Sequence, residues 1–205
     1  GGFPAKELSD SNSVINTTSA HIQKIHNKKH KTTTKKLLYI PTSLSSYKTY
    51  APYRNFYDAF YIDWQKTLLK TLKENNVEYM IKTHPKTSAI FSHLHENELE
   101  KETLEKCFDR YDGFILDYVS TALTETLATH KKVIFFDIGN RKIGSKALHC
   151  LKQDSLYQKI AFDQPLQDQI SAVLSLDKQR QFNYINTFSL GGQTTAEILK
   201  DIIKQ

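Results

Sequence analysis

Residues 111–137, YDGFILDYVSTALTETLATHKKVIFFD, constrain this chain more than any other stretch. Gly113 to Leu116 is apolar throughout and too short for a helix, so it reads as a strand buried on both faces. Ser120 and Thr121 follow, and then Ala122, Leu123, Leu127 and Ala128 recur at helical spacing as far as Lys131 and Lys132. Residues 133–136 form a second apolar run. Strand, tight turn, helix and strand make the crossover that joins two parallel strands. It also sets two hydroxyls where the helix begins. Unpaired N–H groups and the helix dipole make that end suited to an anion such as a nucleotide phosphate.

The rest of the chain extends the same alternation. Residues 37–40 are a compact apolar run closed by Pro41, and a polar loop follows over 42–53. Residues 54–76 read as one amphipathic helix, with Phe56, Phe60, Trp64, Leu68 and Leu72 at intervals of four and Leu69 widening the stripe. That stripe is core packing. Residues 77–83 read as a strand stopped by His84 and Pro85, where the proline holds His84 extended at the strand's carboxyl end. A helix over 98–109 turns Leu99, Leu104 and Phe108 inward. After the central unit come a loop with Gly139, Asn140, Arg141 and Gly144, a helix over 145–153 and a short strand over 159–162. Further helices begin at Gln167, near Lys178 and over 194–203, and a short one over 13–25 uses Val14, Ile22 and Ile25. The pattern predicts an α/β fold, a doubly wound and mostly parallel sheet at residues 37–205. A basic, polar segment at 1–36 precedes it and reads as an interdomain linker.

Two hundred and five residues suffice for one domain with a sizeable core. Cys107 and Cys150 stand far apart with no CxxC or Cys/His ligand spacing, so neither a disulfide framework nor a metal site is expected, and a reducing, cytoplasmic compartment is the expectation. No apolar run nears the ~18 residues of a membrane span, and no signal peptide is visible. The net charge of +6 points to anionic partners. Lys24, Lys28, Lys29, Lys31, Lys35 and Lys36, with His21, His26 and His30, crowd the segment before the first strand. They read either as a solvated linker or as a patch meeting an anionic membrane surface at its inner face, where each basic residue is worth about 1 kcal/mol. No aromatic residues alternate with these lysines, which argues against nucleic acid as a partner.

In doubly wound sheets ligands bind in the crevice beyond the strand carboxyl ends. Thr42 and Ser43 follow the first strand, His84 and Pro85 the second, and Asp117 to Thr121 the third. In a transferase His84 would bind a donor phosphate or assist its departure; otherwise it merely bonds to backbone. Ser120 and Thr121 cap the helix, an arrangement worth about 1 kcal/mol, and capping leaves room for an anion beside them. Thr124 and Glu125 lie one turn further in. Glu125 either takes a ribose hydroxyl pair or simply complements the dipole. The chain has no GxGxxG, Walker or GxSxG element, so dinucleotide oxidoreductase, P-loop and hydrolase-elbow functions lose ground.

Gly2-Phe3-Pro4, Tyr39-Ile40-Pro41-Thr42, Lys82-Thr83-His84-Pro85 and Asp117-Tyr118-Val119-Ser120-Thr121, in that order and spacing, resemble the C-terminal half of bacterial GT-B transferases that build surface polymers. Capsule and lipopolysaccharide glycosyltransferases, polysialyltransferases among them, are similar through their HP and serine motifs. So are the CDP-glycerol glycerophosphotransferases of teichoic-acid synthesis. The segment 120–133 also resembles a helix of the non-hydrolysing UDP-N-acetylglucosamine epimerases.

The resemblance implies a metal-independent, inverting glycosyltransferase without a cofactor, using a CMP-, CDP- or UDP-linked sugar and a polysaccharide or lipid-linked acceptor. His84 would be catalytic. Thr42, Ser43, His84, Pro85, Asp117, Ser120, Thr121 and Thr124 would bind the donor, with Glu125 on its ribose. Glu125 favours the sugar donor over the polyol phosphate of the teichoic-acid enzymes; a non-catalytic nucleotide-binding module is the other alternative. A GT-B enzyme has two Rossmann-like halves and this chain has room for one, so the missing N-terminal domain, with the acceptor site and catalytic base, is an expected partner.

Overall fold

Leu37–Ile40, Gly113–Leu116 and Lys132–Asp137 place apolar side chains on both sides of the backbone, so only a sheet covered on both faces can accommodate them. The computed structural model describes residues 17–42, 57–84, 98–177 and 181–192, and these three runs form its centre. They are β1, β3 and β4; Tyr79–Ile81 is β2 and Leu156–Lys159 is β5. All pair in parallel, in the order β2-β1-β3-β4-β5. This is the doubly wound α/β architecture expected from the alternation. Gly113 lies where a Cβ would stand 2.7 Å from the Lys132 carbonyl oxygen, so glycine is what lets β3 approach β4 at its first residue.

Helices cover both faces. Asp58–Glu74 (α2) and Leu166–Leu174 (α6) press Trp64, Leu68, Leu72, Ile170 and Val173 onto one face, against Tyr39, Ile81, Ile115, Ile134 and Phe136. Ala20–Asn27 (α1), Leu104–Cys107 (α3), Thr121–Ala128 (α4), Ser145–Asp154 (α5) and Asn183–Phe188 (α7) cover the other, which carries Leu38, Phe114, Leu116, Val133 and Phe135. Helix α2 ends on Asn76 in the left-handed region (φ 54°). The Asn76 and Val77 N–H groups return to the Lys73 and Leu72 carbonyls, the paired closure that stops a helix cleanly.

Three expectations change. The helix expected over 98–109 shrinks to α3, and Leu99 instead bridges Ile81 in parallel while the Glu100 N–H donates to the Ile81 carbonyl. The cause is that Leu99 packs on the α2 face and Leu104 on the other, which one helix cannot do. The strand expected over 159–162 is β5, three residues earlier, because pairing with β4 starts at Ile134 and Leu156. Of the helix expected over 13–25, residues 13–16 with Val14 lie outside the described residues, and the remainder gives α1, capped by Ser19, with Ile22 and Ile25 buried. Part of the basic segment is therefore packed on the domain, its entry fixed by the Ser19 N–H on the Ser189 carbonyl. Several of its lysines meet acids of the fold, Lys24 with Glu105, Lys28 with Asp109 and Lys36 with Glu78. The expected helix over 194–203 lies outside the described residues.

Candidate functional site

After β1 the chain crosses to β2 on one side, and all later strands lie on the other. β1 and β3 remain paired, but the connections that follow them run to opposite sides, and at such a switch point the loops diverge and leave a crevice. Thr42 and Asp117 follow these two strands. The Thr42 N–H and hydroxyl donate to Asp117 Oδ1 at 2.7 and 2.9 Å; Trp64 Nε1 at 2.9 Å and the Tyr39 hydroxyl donate to Oδ2. One carboxylate thus ties the ends of β1 and β3 to helix α2. Thr42 and Asp117 are only 1% and 2% exposed, so they form a buried floor at these strand ends. Burial raises the Asp117 carboxyl above its ordinary range, against the pull of its four donors. Burial and the neighbouring Asp117 charge together drive the Tyr39 hydroxyl well upward.

Above that floor α4 begins. Ser120 has an extended backbone and its hydroxyl accepts the Leu123 N–H at 3.4 Å, which makes it the helix cap expected from its type and position. Ser120 is half-buried and Thr121 exposed, so both stand at the surface of the helix end. The Arg141 guanidinium, on the loop after β4, lies over the Tyr118 ring, 5.5 Å from its centre. Sequence reasoning noted Arg141 only as a loop residue. The available signal was topological: loops after adjacent parallel strands emerge at the same end.

The remaining residues spread out. Thr124 faces the Tyr184 hydroxyl of α7. Glu125 is 17% exposed, and its Oε1 lies 2.9 Å from His21 Nε2 of α1. Ribose binding through both oxygens of Glu125 would have to displace that contact. His84 is exposed beyond β2, at the same end of the sheet as Ser120. With β1 intervening and roughly 4.8 Å per strand, the ends of β2 and β3 stand about 10 Å apart, a span a diphosphate and two side chains can bridge. Ser43 and Pro85 lie outside the described residues.

Asp137, closing β4, accepts from the Gly139 N–H at 3.0 Å and from the Tyr157 hydroxyl at 2.6 Å; burial, with the Asp137 contact, raises the Tyr157 hydroxyl above its ordinary range. Asp117 and Asp137 are thus both engaged in holding strand ends. Among the described residues no group of three or more His, Cys, Asp or Glu is placed to hold a metal ion, and no helix is long and apolar enough to cross a membrane. Chemically, this end offers N–H groups, hydroxyls and a cation to an anion.

No family model matches the chain, and no curated protein matches it. Among solved structures, the wall teichoic acid polymerase TagF, in a variant form, aligns at 17% identity with a TM-score of 0.38, covering 90% of this chain and 47% of that one. The chain thus spans about half the length of that protein.

Proposed function

We propose that this chain is the donor-binding half of a GT-B-type transferase. It takes a nucleotide-activated donor, CMP-, CDP- or UDP-linked, and passes the activated group to an acceptor in bacterial surface-polymer synthesis. The observation that carries the reading is the amino end of α4, beside the switch point between β1 and β3, with Ser120 and Thr121 at its start and the Arg141 guanidinium over Tyr118. A pyrophosphate seated there meets unpaired N–H groups, the positive end of a dipole and a cation. As the donor bond breaks, negative charge grows on the departing phosphate, and groups already in position stabilise it most. His84 completes the set from across β1, as a proton donor or hydrogen-bond partner to the leaving phosphate. Acceptor and catalytic base come from a second Rossmann-like half.

A second donor class stands beside the sugar. Glu125 favoured a glycosyl donor through its ribose role, and its contact with His21 weakens that ground, so a CDP-linked polyol phosphate fits equally. Thermal-shift titration with CMP, CDP, CDP-glycerol and UDP tests both. A nucleoside diphosphate at a hundred times its Kd should stabilise the fold by about 2.7 kcal/mol, and Ser120→Ala should remove most of the gain. Preference for CDP-glycerol over UDP selects the polyol class. If no nucleotide raises Tm, the donor-site reading falls.

A further inference from the structure

At the opposite end of the sheet, where β3 and β4 begin, a cavity of about 670 Å³ opens between the turn after α1 and the turn joining α4 to β4. That volume is in the range of small-molecule sites, roughly 300–1,000 Å³. Lys28, Lys29, Lys131 and Lys132 line it, against Asp112 and Asp177. Even with Lys28 assigned to its partner Asp109, ammonium groups outnumber carboxylates. Two of the cations are held in place by carbonyls. Lys131 Nζ donates to the Tyr111 and Lys31 oxygens at 2.6 and 2.9 Å, and Lys132 Nζ to the Leu176 oxygen at 3.2 Å.

Carbonyl oxygens orient an ammonium but do not cancel its charge, and in the lining Lys29, Lys131 and Lys132 stand against Asp112 and Asp177. Lys131 is 7% exposed, a buried cation in the wall, and burial holds its ammonium below its ordinary range while Asp109 and Asp112 act the other way. The imidazoles of His26 and His130 stack at 4.4 Å along the same wall, and His130 Nε2 lies 2.8 Å from the His26 carbonyl oxygen. Helix α1 and the α4–β4 turn are thereby joined, which gives the cavity a fixed side.

We infer that this cavity binds a phosphate-bearing ligand at a second site, independent of the donor end. A fixed, buried ammonium with further, more exposed lysines beside it, in a cleft of surplus positive charge, suits a multiply charged phosphate. The ligand is either a soluble phosphate compound or a phospholipid headgroup.

The test is an amide-resolved NMR titration of the chain with inorganic pyrophosphate. Saturable shifts should appear at residues 28–30 and 129–132, and the Lys29→Gln/Lys132→Gln double variant should bind there about tenfold more weakly, a change of about 1.4 kcal/mol. Should the double variant fold poorly, Lys29→Gln alone, at an exposed position, should weaken binding several-fold. Ser120→Ala should leave these shifts unchanged. Vesicles of phosphatidylcholine with and without phosphatidylglycerol separate the sources: lysine-dependent retention on the anionic vesicles identifies a headgroup, and pyrophosphate shifts without retention identify a soluble ligand. Shifts confined to the donor end, or insensitive to the lysine substitutions, would overturn the inference.

Discussion

Asp117 shows how one side chain can decide what its neighbours are for. Buried with four donors, it leaves Thr42 and Tyr39 facing inward rather than toward a ligand. An amide in its place would keep the shape but turn an N–H toward donors that need an acceptor. Asp117→Asn should therefore cost about 3 kcal/mol in urea unfolding, the range for a broken buried network; a loss below about 1 kcal/mol would show that the four contacts contribute little. None of this was readable from local pattern. The donors Trp64 and Tyr39 lie 53 and 78 positions away in the chain, and periodicity does not encode such pairings. Ser120 was readable, because a small hydroxyl before an apolar helical period is itself the capping signal.

At the level of elements, the sequence was most legible where a segment is apolar at every position. The strands at 37–40 and 113–116 follow from composition and length alone. It was least legible where the chain changes face. Leu99 and Leu104 are five residues apart and serve opposite sides of the sheet, a switch that helical spacing disguises. The hinge of that switch is Glu100, buried, accepting from Arg110 Nη1 at 2.7 Å, from the Glu102 N–H at 2.8 Å and from the Tyr111 hydroxyl. Burial opposes its ionisation, yet the Tyr111, Glu102 and Arg110 contacts outweigh burial and hold the carboxyl below its ordinary range. A carboxylate whose folded pKa is lowered contributes stability that is complete above the unfolded value, about 4.3, and is lost as pH falls through the folded value. The urea midpoint of the wild type should drop as pH falls below about 4.3, and that of Glu100→Gln should change less across the same window. Parallel profiles would exclude Glu100 as a source of the acid sensitivity.

For the molecule as a whole, alternation of strand and helix led to the parallel sheet, and the position of the switch point gave meaning to residues scattered through the chain. What the alternation did not reveal is how far the domain reaches before its first strand. Helix α1 comes from a lysine-rich segment, yet Ile22 and Ile25 enter the core and His21 reaches Glu125. Ile25, 3% exposed, tests this directly. Ile25→Ala should destabilise the whole domain by about 2–4 kcal/mol in denaturant titration, as for any core truncation, whereas a detached linker would show no change. The Asp117 network has a consequence at this scale too. Because the carboxyl ends of β1 and β3 are joined by their own ladder and bolted by Asp117 from beneath, side chains above them are not needed to keep the two strands together. Their identity is free to drift, or to be redesigned by grafting from another scaffold, without loosening the foundation.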